Sequence, residues 1–282
     1  MALTVAIVAG GAMGSAVGRR LTGHGVAVLT SLDGRSRESR VRCEAAGMRD
    51  APDADLVARA DLFLSIVPPA DAVALADRFA RAIRAAGRPL VYADCNAIGV
   101  ADARAIAAAV EAAGGVYCDA GIIGAPPKDG EAGPVFYACG AGAPALLQLA
   151  EYGLRVARLE GEVGAAKALK LSYAGITKGL TAIAATMILA AERAGAGEAL
   201  KRELAASQPQ LLARFERALP DMVPKAYRWE EEMRAIGGFV GEGRPESRIY
   251  EAMAELYRRL SQGGDAGCGR ADLAALEAFL AR

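Results

Sequence analysis

Three glycines follow the first apolar segment of the chain at a spacing that suits phosphate binding. Gly11 and Gly14 occupy the last two glycine positions of a GxGxxG pattern, with Ala9 at the first. A helix is predicted to begin here, and its free N–H groups and positive end would face an anion. The turn therefore predicts a site for the pyrophosphate of a dinucleotide, with an ordinary tight strand-to-helix connection as the alternative. Its residues are Gly10, Gly11, Ala12, Met13 and Gly14.

The end of the second apolar segment is where a dinucleotide site usually reads the adenosine ribose. Thr30 and Ser31 stand there, and neither has the carboxylate that selects NAD. With Ser31, the arginines Arg35 and Arg37 could surround a 2′-phosphate, so we expect Thr30, Ser31 and Arg35 to bind NADP(H) in preference to NAD(H). Two alternatives stay open. Asp33 could turn inward to the ribose hydroxyls, and the two arginines could be the solvated start of a helix.

Short apolar segments alternate with amphipathic ones through the first half of the chain, which indicates a parallel sheet with helices on both faces. Strands are predicted at residues 4–9, 26–30, 61–67, 89–95, 116–123 and 135–140. Helices are predicted near residues 13–22, 36–46, 71–86 and 101–113. The expected fold of residues 1–162 is an α/β dinucleotide-binding domain of the Rossmann type with a mainly parallel sheet.

The second half has helical patterns and no strand pattern. One long helix is predicted from about residue 163 to 195, and shorter ones are predicted at 198–218, 225–238, 246–261 and 270–281. We expect residues 163–282 to form an all-α domain for substrate binding and dimerisation. The long helix is apolar on almost all sides, which favours a homodimer.

The charge balance, the cysteines and the length of the apolar stretches bear on the partners and the cellular location of the protein. The 33 basic and 33 acidic side chains cancel, so the chain has no electrostatic footprint for nucleic acid or an anionic membrane. Its five cysteines form no CxxC pair, which is typical of reduced, mostly buried thiols in the cytoplasm. The uncharged stretch 179–191 is shorter than the roughly 20 residues that a membrane span needs. We therefore expect a cytoplasmic protein with no metal site and no nucleic-acid or membrane partner.

Several motifs together resemble those of the β-hydroxyacid dehydrogenase superfamily, which includes 3-hydroxyisobutyrate dehydrogenase, glyoxylate/succinic semialdehyde reductase and 6-phosphogluconate dehydrogenase. They are GAMG at 11–14, SIVPP at 65–69, DCNAI at 94–98, DAGIIGAPP at 119–127 and GAAKALKLSYAG at 164–175. The resemblance covers essentially the whole chain. The residues that it places along the cofactor are Val67, Pro68, Pro69 and Asn96, and those that it places against a substrate are Asn96, Gly121, Ile122, Ile123 and Gly124.

The last of these motifs also implies a catalytic lysine. The family places a glycine six residues before that lysine, and Gly164 precedes Lys170 at this spacing. Hydride transfer requires a proton to move on the adjacent atom, and the single histidine, His24, lies in a turn at the wrong end of the sheet. Burial can bring the pKa of a lysine toward neutrality. The alternative for any lysine is a surface position on a helix, which we expect for Lys167 and Lys178, although Lys178 could reach an anionic substrate.

One position departs from the family. Relatives usually carry asparagine four residues after the lysine, where this chain has Ala174 with Tyr173 beside it. Either the substrate is held differently, with Tyr173, Ala174 and Lys178 as its contacts, or the site is altered. The second half, with EEEM at 230–233 and EAMAELYRRL at 251–260, resembles a less-studied branch near 6-phosphogluconate dehydrogenase, for which no substrate is assumed.

The resemblance and the residues together predict an NADP-dependent oxidoreductase that interconverts a small hydroxy acid, or a similar polar alcohol, with its carbonyl compound. Lys170 would be the general acid and base, and the substrate would be small and anionic. Two alternatives stay open. An imine reductase could use the same fold and Tyr173, although such relatives usually have Asp or Tyr where Lys170 stands. A cofactor-binding sensor or scaffold without turnover would explain Ala174.

Overall fold

The computed structural model of the chain describes residues 3–8, 10–241, 243–262 and 268–282. The chain divides into two units, Met1–Lys170 and Leu171–Arg282, and each unit has its own buried apolar clusters. All strands of the described residues lie in the first unit, and the described residues of the second unit form helices.

An eight-stranded sheet forms the first unit, with the strand order β3-β2-β1-β4-β5-β6-β7-β8. The strands are β1 (Thr4–Val8), β2 (Ala27–Thr30), β3 (Arg49–Asp50), β4 (Leu62–Ser65), β5 (Val91–Asp94), β6 (Val116–Ile123), β7 (Val135–Cys139) and β8 (Arg155–Arg158). All neighbouring pairs are parallel except β6 and β7. The order reverses between β1 and β4, and open α/β sheets bind ligands at such a point, outside the carboxyl ends of the strands. The predicted α/β fold with a mainly parallel sheet is confirmed.

Helices cover both faces of the sheet because successive residues of a strand point to opposite sides. Val5 and Ile7 belong to one buried cluster, and Ala6 and Val8 belong to another. The helices of this unit are α1 (Ala12–Gly23), α2 (Arg37–Ala45), α3 (Asp53–Arg59), α4 (Ala72–Ala86), α5 (Val100–Ala112) and α6 (Ala143–Leu147), with 3₁₀ turns at Pro69–Asp71 and Gln148–Tyr152.

Four short elements of this unit escape prediction from the sequence, namely β3, β8, α3 and α6. The two residues of β3 are both exposed, and β8 begins and ends with an exposed arginine. Helices α3 and α6 span seven and five residues. Strands and helices this short contain too few residues to show a recognisable alternation of apolar and polar residues. Their formation depends on the elements packed beside them in the tertiary structure.

The second unit is helical. Its helices are α7 (Ala165–Arg193), which begins in the first unit, α8 (Gly197–Ser207), α9 (Pro209–Met222), α10 (Ala226–Val240), α11 (Ser247–Ser261) and α12 (Cys268–Ala281). The prediction of one helix over residues 198–218 is wrong, because the helix is interrupted between α8 and α9. Gln208 leaves the helical region, with φ −138° and ψ 53°, since the ring of Pro209 disfavours a helical conformation in the preceding residue.

Helix α7 belongs to both units. Its residues up to Lys170 group with the sheet and the remainder groups with the other helices. The division therefore falls inside the helix, later than the predicted boundary between residues 162 and 163, because the start of α7 contacts β5 and β6. By length and composition alone α7 could cross a membrane, but half of its most apolar stretch is buried inside the protein. A buried core helix gives the same result, so this is weak evidence for a span.

Four of the cysteines are buried. They are Cys43, Cys95, Cys118 and Cys139. Burial raises the pKa of the Cys95 thiol to about 12 and that of Cys139 to about 11. It also raises the pKa of Cys118. The burial of these four side chains agrees with the predicted burial of the cysteines.

The burial of these thiols predicts how stability depends on pH. Cys95, Cys118 and Cys139 should stay protonated in the folded chain at a pH where an unfolded thiol, with a pKa of about 8.5, ionises. The free energy of unfolding should therefore fall as the pH rises above about 9, because the unfolded chain releases more protons. Chemical denaturation at several pH values between neutral and alkaline measures the free energy of unfolding. Thiol labelling followed by mass spectrometry measures whether the three cysteines are protected in the native protein. Rapid labelling of these thiols in the native protein at neutral pH would contradict the prediction.

Candidate functional site

The residues with predicted roles in the first unit lie at the carboxyl edge of the parallel strands. The glycine turn follows β1, Thr30 ends β2, Val67–Pro69 follow β4, and Asn96 follows β5. Ala9, at the first position of the glycine pattern, lies outside the described residues. The sheet thus brings together segments that are far apart in the sequence.

The start of α1 fits an anion. Gly11 is the N-cap residue, with φ −87° and ψ 175°, and no side chain caps the helix. The first turn contains no acidic residue, and both Gly11 and Ala12 are exposed. A Cβ added at Gly11 would meet nothing within 4 Å, so a ligand could approach the backbone there. The first N–H groups of a helix lack intrahelical partners, and a pyrophosphate would satisfy them.

Helix α2 holds the glycine turn from outside. Arg42 donates two hydrogen bonds to the carbonyl oxygen of Gly10, from Nε at 3.0 Å and from Nη2 at 2.8 Å. A Cβ at Gly10 would lie 2.7 Å from the Cβ of Ser39, so the close approach of α2 requires glycine. Arg42 was not predicted from the sequence, since only the packing of α2 brings it to this turn.

The turn after β2 is held in the same way. Leu32 donates its N–H to Oδ1 of Asp50 at 2.9 Å, and its carbonyl oxygen accepts a hydrogen bond from Nη2 of Arg40 at 2.5 Å. The N–H of Arg35 also binds the Leu32 carbonyl, at 3.1 Å, and Gly34 between them has φ +68°. These contacts place the half-buried Arg35 at the carboxyl end of β2.

A cavity of about 590 Å³ opens beside this turn. Its lining residues are Ser31, Asp33, Arg40, Asp50, Ala51, Pro52, Asp53 and Arg78. Arg78 forms an ion pair with Asp53 and donates to Oγ of Ser31 at 2.7 Å, and the hydrogen bond to Asp53 raises the pKa of Arg78. Oγ1 of Thr30 is buried and has no hydrogen-bond partner within the described part of the chain. Of these lining residues, the sequence singled out Ser31 and Asp33.

Asn96 is buried and its side chain is fully used inside the protein. Oδ1 accepts the N–H of Val67 at 2.7 Å, while Nδ2 donates to Oγ of Ser65 at 2.8 Å and to Oδ1 of Asp94 at 2.7 Å. The side chain therefore joins the ends of β4 and β5. It also sets the direction of the following exposed prolines, Pro68 and Pro69.

The glycine segment at the end of β6 is divided between the strand and the turn that follows it. Gly121, Ile122 and Ile123 remain in the strand and pair with β7, so the turn begins at the exposed Gly124, where φ is +127°. A Cβ at Gly121 would lie 2.8 Å from the carbonyl oxygen of Ala166. Gly121 is thus required because the start of α7 packs directly on the strand.

Lys170 lies near this contact. It is half-buried, and its Cβ is 3.7 Å from the position that a Cβ of Gly121 would occupy. The chain enters α7 through Gly164, whose φ is +105° and whose added Cβ would lie 2.6 Å from Cγ1 of Val100. The glycine six residues before the lysine therefore has a steric role, since it allows the turn that starts the helix.

Lys167 is buried, whereas the sequence predicts a position on the helix surface. Its side chain is fully removed from solvent. Nζ donates to the carbonyl oxygens of Asp94 at 2.6 Å and of Ala120 at 2.7 Å. It also lies 3.5 Å from Oδ1 of Asp94 and 3.6 Å from Oδ1 of Asp119.

The described ranges contain no group of His, Cys, Asp or Glu side chains that could hold a metal ion.

The predicted substrate contacts beyond Lys170 belong to the helical unit. Tyr173 is 53% exposed, whereas Ala174 is buried. Lys178 is not free on the surface, because it is ion-paired with Glu232 and lies 5.1 Å from the ring centroid of Trp229.

Two sequence families match parts of the chain. The NAD binding domain of 6-phosphogluconate dehydrogenase matches residues 4–156, and a domain of unknown function (DUF1932) matches residues 191–260. The comparison with curated proteins found no match. The first match covers more than half of the chain and contains the glycine turn, the β2 turn and the loops after β4 and β5.

Solved structures resemble nearly the whole chain. A conserved protein of unknown function, MTH1747, described as similar to 3-hydroxyacid dehydrogenases, is 26% identical with a TM-score of 0.73, over 90% of this chain and 99% of that one. The 3-hydroxyisobutyrate dehydrogenase of Mycobacterium tuberculosis is 19% identical with a TM-score of 0.75, over 99% of both chains. An imine reductase of Streptomyces aurantiacus is 18% identical with a TM-score of 0.56, over 98% of this chain and 99% of that one. With its NAD-binding domain of the 6-phosphogluconate dehydrogenase type, this chain belongs to the β-hydroxyacid dehydrogenase superfamily.

Proposed function

We propose that the protein is an NADP-dependent oxidoreductase that interconverts a small hydroxy acid, or a similar polar alcohol, with its carbonyl compound. The position of Lys170 carries this proposal. Its Cβ lies 3.7 Å from the Cβ position of Gly121, at the sheet edge where α1 presents its uncapped N-terminus. The Cβ of Lys170 is thus at the same edge as the groups that suit a dinucleotide, and its side chain carries the amine that would exchange a proton.

The cofactor would be held by backbone and side-chain groups of the first unit. The free N–H groups of α1 would bind the pyrophosphate, and the unpaired Oγ1 of Thr30 would gain a partner. Ser31 and Arg35 lie where a 2′-phosphate would be read, which supports NADP(H) over NAD(H). When bound, the nicotinamide accepts or supplies the hydride.

Lys170 would move the proton that accompanies the hydride. Oxidation of an alcohol removes a hydride from carbon and a proton from oxygen, so the neutral amine would take the hydroxyl proton and return it in the reduction. A positioned acid and base contributes about 10²–10⁴-fold. The exposed backbone at Gly124 would bind a substrate carboxylate, while Asn96 would keep the Val67–Pro69 loop in position along the cofactor.

Imine reduction is the second candidate. Tyr173 lies nearly one turn beyond Lys170 on the same helix, is 53% exposed, and carries a phenol that could protonate a nitrogen. The shared fold does not separate the two reactions, because both hydroxyacid dehydrogenases and imine reductases adopt it. A cofactor-binding sensor without turnover is the third candidate, because the buried Ala174 stands where relatives usually have asparagine.

We also propose that the protein is a cytoplasmic homodimer. The burial of four cysteine thiols suits a reducing compartment. On α7, Tyr173, Ile176, Ile183 and Met187 are all at least half exposed. Their spacing of three, seven and four residues places them along one side of the helix, which is the stripe that a second helix covers.

The first prediction from the proposed function concerns Lys170. Lys170→Ala should lower turnover at least about 100-fold and leave NADPH affinity nearly unchanged, because the amine moves a proton and does not hold the nucleotide. NADPH oxidation is followed with glyoxylate, succinic semialdehyde and a cyclic imine, and binding is measured by fluorescence titration. Lys128→Ala, on an exposed loop of the same unit, is the control. Full activity of Lys170→Ala would refute the role, and tight NADPH binding without wild-type turnover would favour the sensor.

The second prediction concerns cofactor choice. Arg35→Ala should weaken NADPH binding by about 10-fold or more and leave NADH binding nearly unchanged, since a charge-assisted hydrogen bond contributes about 1.5–3 kcal/mol. Arg81→Ala, at an exposed position of α4, is the matched control. If NADH bound more tightly than NADPH and Asp33→Ala abolished that binding, the cofactor would be NAD(H), held through Asp33.

The third prediction concerns the assembly. Light scattering should give twice the 29.0 kDa mass of one chain, and Ile176→Glu/Ile183→Glu should give the mass of a single chain, because it places two charges in the apolar stripe. Val73→Glu adds a charge at an exposed valine of α4, outside α7, and serves as the control. A wild-type monomer would contradict the proposed dimer.

A further inference from the structure

Lys167, Asp94 and Asp119 form a cluster of three charged side chains that we call the buried triad. All three are fully buried. The ammonium group lies 3.5 Å from one carboxylate and 3.6 Å from the other. The triad therefore has two acidic side chains and one basic side chain.

Each member of the triad is tied to backbone or to a neighbouring strand. Oδ2 of Asp119 accepts the N–H groups of Gly164 at 2.8 Å and Ala166 at 3.0 Å, at the start of α7. Oδ1 of Asp94 accepts the backbone N–H of Asn96 at 3.0 Å, and its Oδ2 accepts the hydroxyl of Tyr117 at 3.1 Å. The triad thus joins β5, β6 and the beginning of α7.

Lys167 is not available for proton transfer with a substrate. Two of its three N–H groups are used by the carbonyl oxygens of Asp94 and Ala120, and the third faces the two carboxylates. Oδ1 of Asp119 has no hydrogen bond within the described residues, so the nearby ammonium is its electrostatic partner. No part of the side chain reaches solvent.

We propose that Lys167 is a positioning residue for Lys170. Lys170 follows one turn later on the same helix, so the point at which Lys167 anchors α7 also determines where the Lys170 side chain leaves the helix. The inference rests on the proposed role of Lys170. Apolar side chains would bury this helix start without the cost of desolvating three charges. The charged groups also fix the position of the helix start along the strands, because the ammonium group must stay within hydrogen-bond distance of two particular carbonyl oxygens.

Comparison of two lysines tests the proposal. Lys167→Met removes the ammonium and keeps an unbranched apolar side chain. Lys201→Met is the matched control, because Lys201 also donates to two carbonyl oxygens, of Phe279 and Leu280, and lies 3.4 Å from a carboxylate of Glu216. Both variants lose one lysine that anchors a helix, but only Lys167 lies beside Lys170.

The readouts are steady-state kinetics, NADPH binding and amide hydrogen exchange of residues 164–170. In Lys167→Met we expect kcat to fall on the order of 10- to 100-fold, since a small misplacement of a catalytic group costs this much, with KM and NADPH affinity nearly unchanged and with faster exchange. In Lys201→Met we expect kcat and the exchange of residues 164–170 to match the wild type. Should Lys167→Met not fold, Lys167→Met/Asp119→Asn removes one buried charge of each sign and is measured in its place.

The outcomes separate the two proposals. A folded Lys167 variant that retains kcat, or one whose residues 164–170 exchange as in the wild type, overturns the positioning role. An equal loss of kcat in Lys201→Met also overturns it, because the effect would then be general instability. A wild-type protein that turns over none of the substrates refutes the proposed function itself, and the exchange measurement still decides whether Lys167 anchors the helix.

Discussion

The attachment of α7 to the sheet depends on a carboxylate and an ammonium that are both removed from water. Asp119 satisfies two N–H groups at the start of the helix, and Lys167 satisfies two carbonyl oxygens, one of β5 and one of β6. These are charge-assisted hydrogen bonds, which are short and directional. A helix start held in this way has one register, and the Lys170 side chain follows from it. Gly121 completes the arrangement, because any larger residue would push the helix off the strand.

The turns proposed to bind the nucleotide are held by side chains in a similar way. The Gly10 carbonyl is held by Arg42, both backbone groups of Leu32 are held by Asp50 and Arg40, and the N–H of Val67 is held by Asn96. In each case a side chain from another element binds the backbone of a turn that has no regular structure of its own. Binding a ligand then requires little further ordering, which lowers the entropic cost of binding.

Local patterns in the sequence predict the parts of this protein that depend on local physics. The glycine turn between β1 and α1, the alternation of strands and helices and the long α7 all follow from periodicity and from glycine. The family resemblance adds Lys170 and the significance of Gly164. By contrast, β3 and α3 are too short to carry a pattern, and Asp50 and Asp53, which they contain, line the cavity next to β2. No pattern in the sequence connects Arg42 with Gly10 or Arg78 with Ser31.

The sequence by itself therefore determined the fold class, and it supplied the glycine turn and, through the family resemblance, Lys170 as candidates for nucleotide binding and chemistry. Tertiary structure alone decided which polar residues hold that site together. Lys167 shows why: one lysine in an apolar helix reads as a surface residue, because its burial is favourable only when partners from distant strands surround it. Asp94 and Asp119 lie 73 and 48 positions earlier in the chain. Only the parallel pairing of β5 with β6 brings their carboxylates to the same place.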